Sequence, residues 1–359
     1  MIEPVLVPPP TRGRTSVARV VDDWYPVASS RALGRRPLGV TLLGSPLVLF
    51  RDDGGRPHAL LDRCPHRNAP LSAGVRVGET IRCPYHGWRF DGKGECREVP
   101  GLVGEAPEHR GRRVPAFATR EQDGLVWVWG QPDSVPAREP FRFPWIGERG
   151  YTTVRARLEV RASLHAVAEN ALDVPHTAFL HAGLFRRPDR PRQRLRVTVR
   201  RWHDRVEAEY TGEARPSGWL GRLLAPRGGV VEHWDRFFLP GIVQVEYRLG
   251  RAHLCVTAAL SPVTDFHTRL FAAASFRLPW LPGWLVALVV RPIALRVFRQ
   301  DAALLERQRA VVERFGGEHF VSTDLDVLGP AILHLLRDAE RGHRGAIDRP
   351  VEKSVEMLV

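Results

Sequence analysis

Cys64-Pro-His66 and, after a gap of 16 residues, Cys83-Pro-Tyr-His86-Gly-Trp88 are the stretches on which the reading of this chain turns. Each pair offers one thiolate and one imidazole from a tight loop, and each loop places proline directly after its cysteine. Two such loops meeting tip to tip gather Cys64, His66, Cys83 and His86 around one metal centre. Four unrelated residues falling into this pattern by chance is improbable. Zinc also accepts two Cys and two His, but zinc fingers usually pair like ligand with like along the chain. Here each loop mixes the types, which suits a centre with two unlike ions, one taking the thiolates and the other the imidazoles.

Outward from the loops, about Ala18 to Pro132 reads as short strands between turns. Val40 to Phe50 has hairpin character around Gly44 to Pro46, and Asp52, Asp53, Gly54 and Gly55 supply the next turn. Leu125 to Trp129 is a β-prone run ended by Gly130 and Pro132. The organisation expected is an extended arm at 1–17, an all-β domain at 18–132, a proline-bearing linker at 133–150, a second domain at 151–345 and a tail at 346–359. In the second domain a helix is expected from about Ala162, then alternating strands. A longer helix is expected over about Pro292 to Phe315, and a last one over Ala331 to Arg341. The fold class is α+β: a small all-β domain, then a sheet covered by helices.

A chain of 359 residues is long enough for two cores of ordinary size. The net charge of +13 invites a nucleic-acid reading, but the basic residues are nearly all scattered Arg, with Lys93 and Lys353 the only lysines. The excess reads as solubility or a docking face for an acidic partner, not as a nucleic-acid site. Met1 to Pro10 lacks the pattern of a secretory signal. Four cysteines, two of them beside histidines, point to metal in a reducing, cytoplasmic setting. Cys96 and Cys255 read as ordinary buried thiols. Trp280 to Phe298 is apolar, but its core, Trp284 to Val290, is far shorter than the roughly 20 residues that span a bilayer. A buried or pocket-lining helix is expected there, with no transmembrane span.

The second constellation is Glu169-Asn-Ala-Leu-Asp173-Val-Pro-His176-Thr-Ala-Phe-Leu-His181. Leu164, Val167, Ala168, Ala171 and Leu172 have helical spacing and mark a core-facing stripe. His165, Glu169, Asp173 and His176 form a second stripe, which in an anonymous helix is a solvated face. Pro175 disturbs that helix. On an undistorted helix His181 would point roughly 140° away from His176; an interrupted one lets both imidazoles converge. Two His plus a carboxylate, with positions left open, is the ligand set of O₂-activating non-haem Fe(II) enzymes.

The two constellations together resemble the Rieske non-haem iron oxygenases. CPHRNAPLSAG and CPYHGWRFDGKGEC resemble the [2Fe–2S] domain of the ring-hydroxylating oxygenase α subunits, and WYPVASS at Trp24 to Ser30 resembles the lead-in of the smaller, monooxygenase-like members. The Glu169 to His181 segment resembles that family's iron motif, with Glu169 where many members have Asn. The resemblance implies His176 and His181 as Fe(II) ligands and Asp173 as a bridge between a ligand histidine and His86 of a neighbouring subunit. It also implies a helix-grip (START/Bet v 1-like) catalytic domain with an antiparallel sheet, and a homotrimer. Asp301, in FRQDAALLERQ, resembles the ligand-bearing helix of the vanillate demethylase and pheophorbide oxygenase branches, and Glu306 is the second choice.

No Gly-x-Gly-x-x-Gly fingerprint is present, so electrons would come from a separate NAD(P)H-dependent flavin or iron–sulfur reductase or a ferredoxin, with O₂ as co-substrate. Trp234, Phe237, Phe238, Trp280 and Trp284 are the candidate walls of an apolar pocket. Hydroxylation, demethylation or desaturation of an aromatic or polycyclic molecule is expected, most readily as monooxygenation. The rivals are a Rieske electron carrier fused to a non-catalytic START-like ligand-binding domain, a zinc protein, and a lipid-binding module.

Overall fold

The computed structural model describes residues 15–103, 110–181, 194–212, 231–278, 282–343, 345 and 349–358. The chain divides into two compact units. One is built on Val20–Arg142 with Ser261–Thr264; the other is built on Phe143–Leu260 and Asp265–Val359, with residues 15–19 joined to it.

The first unit is all β apart from two single 3₁₀ turns. In order it contains β1 (Trp24–Ser29), β2 (Leu38–Leu42), β3 (Ser45–Arg51), β4 (Pro57–Leu61), β5 (Val75–Val77), β6 (Thr80–Arg82), β7 (Arg89–Asp91), β8 (Cys96–Glu98), β9 (Ala116–Phe117), β10 (Thr119–Gln122) and β11 (Leu125–Trp129). Three antiparallel sheets result, ordered β1-β11-β10, β2-β3-β4-β9 and β5-β6-β7-β8. β11 lies between β1 and β10 and is buried at every position, which is why its sequence is an unbroken apolar run. The hairpin at Gly44 closes with Leu42 opposite Ser45, and Leu43 and Gly44 supply the positive φ that a tight hairpin turn needs.

The second unit contains β12 (Thr152–Val160), α1 (Leu164–Ala171), α2 (Thr177–Leu180), β13 (Arg194–Arg201), β14 (Arg205–Thr211), β15 (Glu232–Phe238), β16 (Ile242–Leu249), β17 (Ala252–Thr264), β18 (His267–Arg277), α3 (Gly283–Arg314), α4 (Gly329–Glu340) and β19 (Val351–Leu358). Its strands form one sheet in the order β12-β18-β17-β16-β15-β14-β13-β19. Alternation sets the faces: Val206, Ala208 and Tyr210 of β14 and His233, Asp235 and Phe237 of β15 are buried, while their neighbours are less so. α3 packs on β12, α4 on β14, and α1 on α4, β16 and β18. This is a large antiparallel sheet with few helices, as expected from the resemblance.

Three expectations change. Residues 351–358 are no tail: β19 pairs with β13 along its whole length, from Arg194 opposite Leu358 to Arg201 opposite Val351. Glu352 and Glu356 meet Arg200, Arg194 and Arg196 across that edge, a charge match invisible until the partner strand is known. The apolar helix expected within Trp280 to Phe298 and the longer one expected from about Pro292 are a single element, which starts at Gly283 and carries Pro292 inside it. Val286 packs with Ala252, Phe276 and Leu278 and anchors the turns ahead of the proline. The expected linker is part of a core at its end, since Phe143 is buried and Trp145 stacks on Tyr151 at 4.8 Å. Of the expected arm, residues 1–14 lie outside the described residues. Ser16 is buried, and its amide and hydroxyl donate to Glu318 at 2.7 and 2.5 Å.

Candidate functional sites: two metal centres

The two Cys-His loops share one backbone plan. The amide of Asn68 donates to the carbonyl of Cys64, and that of Gly87 to the carbonyl of Cys83. The cysteine amides close each loop from the other side, Cys64 donating to Ala69 and Cys83 to Trp88. In both loops the residue four after the cysteine has positive φ, 61° at Asn68 and 74° at Gly87. Asn tolerates that conformation and Gly favours it. At Gly87 a Cβ would also stand 3.0 Å from Cγ of Pro100.

The thiols of Cys64 and Cys83 are buried, His86 is exposed, and the His66 and His86 rings lie 4.5 Å apart. Trp88 stacks on His66 at 4.8 Å and 4°, fixing that ring. Burial pushes the Cys64 thiol up to about 11, with the adjacent Cys83 adding to it. Burial, then His86 and Arg67, hold His66 below the usual imidazole value, in the neutral form a metal ligand needs. Its Nδ1 is buried with no hydrogen-bond partner among the described residues. The two thiols neighbour each other, and so do the two imidazoles. Thiolate beside thiolate and imidazole beside imidazole fits two adjacent irons.

The second site begins at Ser163, whose hydroxyl accepts from the amide of Ala166 and caps α1. The helix ends at Ala171, and Pro175 prevents its continuation. α2 is a single turn with His176 just before it and His181 just after it. This interruption brings both rings to 5.3 Å. Asp301 arrives from α3: its Oδ1 lies 3.0 Å from Nε2 of His181 and 3.6 Å from Nε2 of His176. That oxygen is buried yet makes no hydrogen bond of ordinary geometry among the described residues. Two imidazoles and a carboxylate whose ligand atoms all lie within 4.8 Å of one another can surround an ion, and the residues fit a mononuclear Fe(II).

Nδ1 of His181 pairs with Oε1 of Gln300 at 2.9 Å, which makes Nδ1 the donor and turns the Nε2 lone pair toward Asp301. Asp173 lies 3.4 Å from Nδ1 of His176. Without metal, burial works against a charged His176, but the carboxylates of Asp173 and Asp301 outweigh it and push the imidazolium up to about 9. Burial, then Asp326, Asp173 and Glu318, pushes the Glu169 carboxyl up to about 7. Glu169 lies against Gly329, where a Cβ would come within 1.8 Å of Oε1. His165 is a core histidine: its Nε2 donates to the Gly329 carbonyl at 2.8 Å and ties α1 to α4. Glu306 is elsewhere, in an exposed pair with Arg161 at 3.6 Å.

Two features escaped the sequence. Gln300 has no mark beyond its place beside Asp301. On the helix-facing side of the sheet, His233 is stacked between Tyr210 and Tyr247 at 4.4 and 4.1 Å, with Nε2 3.0 Å from Asp235. Burial, then Asp235, raises the Tyr210 phenol well above its ordinary value, and Asp173 is close enough to contribute. Tyr210 therefore stays a neutral phenol, buried against His233. The only signal was His233 and Asp235 standing two apart, on one face of Glu232–Phe238. Of the aromatic candidates, Phe237 is buried, whereas Trp234 lies under Arg236 and Arg248 on the other face. Trp284 is 67% exposed, because Val286 takes the inward side of its turn. Trp280 lies outside the described residues.

Known proteins match in both halves. Residues 23–117 match the family described as the Rieske [2Fe-2S] domain, and residues 160–341 match the vanillate O-demethylase oxygenase C-terminal domain. The chloroacetanilide N-alkylformylase oxygenase component of Rhizorhabdus wittichii is 34% identical over 236 residues, 62% of this chain and 64% of that protein. The dicamba O-demethylase oxygenase component of Stenotrophomonas maltophilia is 38% identical over 161 residues, 44% of this chain and 46% of that protein. These matches thus span less than two thirds of either relative. The crystal structure of dicamba monooxygenase bound to dicamba is similar with a TM-score of 0.74 and 26% identity, covering 90% of this chain and 98% of that one.

Proposed function

This chain belongs to the Rieske oxygenases whose second half is the vanillate O-demethylase type of C-terminal domain, and on that premise we propose that it is the oxygenase component of a multi-component system. It takes electrons from a separate NAD(P)H-dependent flavin or iron–sulfur reductase or a ferredoxin, and uses O₂ to hydroxylate, demethylate or desaturate an apolar aromatic or polycyclic molecule. Monooxygenation in the cytoplasm by a homotrimer is the form proposed. The relatives named for dicamba and chloroacetanilide support an aromatic substrate. The observation that carries the reading is the convergence of His176, His181 and Asp301 within 4.8 Å, in a chain that also carries the two Cys-His loops.

Cys64, His66, Cys83 and His86 would hold a [2Fe–2S] cluster, and His176, His181 and Asp301 a mononuclear Fe(II). When bound, the first supplies one-electron storage and the second O₂ activation. The protein's own part is positioning. Gln300 fixes the tautomer and angle of His181, and Asp173 does the same for His176. Asp173 keeps a partly exposed carboxylate, which supports its role as the bridge toward a neighbouring subunit's cluster. Around the cluster loops, His86, Arg67 and Arg82 are exposed and Tyr85 is 65% exposed, a basic and aromatic edge suited to an acidic electron donor.

Metal analysis with electron paramagnetic resonance of the reduced, anaerobically loaded protein tests this. About three irons per chain are expected, falling to about two in Asp301→Ala with the cluster signal unchanged. Two irons in both proteins would instead favour the electron carrier with a non-catalytic ligand-binding domain.

A further inference from the structure

The first turns of α3 are apolar on both sides. On the inner side Val286 is 3% exposed, and Ala287 and Val290 pack with it on Ala252, Phe276 and Leu278. On the outer side Trp284, Leu285, Leu288 and Val289 are 67, 40, 66 and 37% exposed. Residues four apart lie one above the other on a helix, so 284 with 288 and 285 with 289 form one continuous apolar face. Scattered exposed apolar residues are ordinary, but a contiguous patch marks an interaction surface.

The charge beside the patch says what covers it. Arg291, Arg296 and Arg299 follow it, all exposed, and no carboxylate occurs between Gly283 and Arg299. A second copy of this chain meeting the patch would bring the same arginines together, like against like. None of the described helices is long and apolar enough to cross a membrane. A helix with Trp and Leu on one outer face and Arg beside it lies in a membrane interface, its apolar side at the acyl boundary and its cations among anionic headgroups.

We propose that the N-terminal turns of α3 dock this protein on an anionic lipid bilayer, through Trp284, Leu285, Leu288 and Val289 with Arg291, Arg296 and Arg299. The proposal does not depend on the oxygenase reading.

The test is co-sedimentation of the full-length, metal-loaded protein with vesicles of phosphatidylcholine alone or with about one third phosphatidylglycerol. Binding to the anionic vesicles is expected, at least about tenfold tighter than to the neutral ones and weakened by salt. Trp284→Glu with Leu288→Glu should lose it by about tenfold or more, and Arg291→Gln with Arg296→Gln should lose the preference for anionic lipid. Both pairs of positions are exposed, and unchanged metal content and melting temperature verify the fold. Absence of vesicle binding, or equal binding by the Trp284→Glu/Leu288→Glu variant, overturns the proposal. So does a change in oligomeric state of that variant without any vesicle binding by the wild type, which would make the patch a self-interface.

Discussion

Glu169→Gln should make this protein more stable at pH 8 while changing little at pH 5. Glu169 sits partly buried against Gly329, near the carboxylates of Asp326, Asp173 and Glu318, and its own carboxyl is pushed from 4.5 up to about 7. Between those values the folded state holds a proton that the unfolded chain has already released. The stability it contributes is complete below pH 4.5 and drains away as pH rises through 7. One pKa unit is worth about 1.4 kcal/mol, so the full shift corresponds to about 3 kcal/mol, and partial solvent access brings the expectation to about 1–3 kcal/mol. Glutamine keeps the shape and never charges, so the variant lacks this slope. Urea unfolding of the full-length protein, with the histidine site free of metal, in steps from pH 5 to pH 8 measures it. The variant's advantage should grow with pH, and Asp326→Asn should flatten the wild-type slope in part. Parallel stability curves for wild type and Glu169→Gln, or an advantage that shrinks with pH, would falsify the account of Glu169 as a carboxyl held neutral by burial and neighbouring acids.

Three further outcomes follow from the geometry. Gln300→Leu should weaken iron binding at the histidine site by about 10- to 100-fold, read by metal titration, with the visible spectrum of the cluster unchanged. Asp173→Ala should leave both metal centres loaded, as iron content and paramagnetic resonance report, yet abolish turnover coupled to a reductase; unchanged turnover would refute the bridge. Gly87→Ala should cost about 1–2 kcal/mol through its positive φ and its approach to Pro100, seen as bleaching of the cluster at a lower temperature.

The first unit was largely legible because its chemistry is local. Each ligand pair lies within four residues, and each loop announces itself by Cys-Pro and by a residue suited to positive φ. The second site was legible only in part. His176 and His181 share one segment, and Pro175 between helix and turn gives the physical reason they converge. Asp301 comes from a helix 120 residues further on, and nothing in its neighbourhood separates it from Glu306 except that resemblance. What the sequence hid was partnership across distance. Gln300 is an ordinary helix residue until His181 is placed beside it, and Glu352 and Glu356 look like a polar tail until β13 supplies their arginines. The outward place of Trp284 was hidden for a related reason. Val286 and Trp284 are equally apolar, and only the packing of α3 on the sheet decides which of them faces inward.

Net charge misleads in the same way. A total of +13 describes the chain, but the surroundings of the histidine site are acidic: Asp326, Asp173 and Glu318 act on Glu169 there, and Asp301 lies between two imidazoles. Like charges gathered in a partly buried place are costly, and the elevated Glu169 is the visible sign of that cost. A divalent cation between His176, His181 and Asp301 would offset it, so the acids that strain the metal-free protein also favour the loaded one. The arginines lie outside this zone, exposed along α3 and beside the cluster loops. Opposite charges thus occupy separate places, acids around the histidine site and exposed arginines along α3 and beside the cluster loops, and their sum identifies neither.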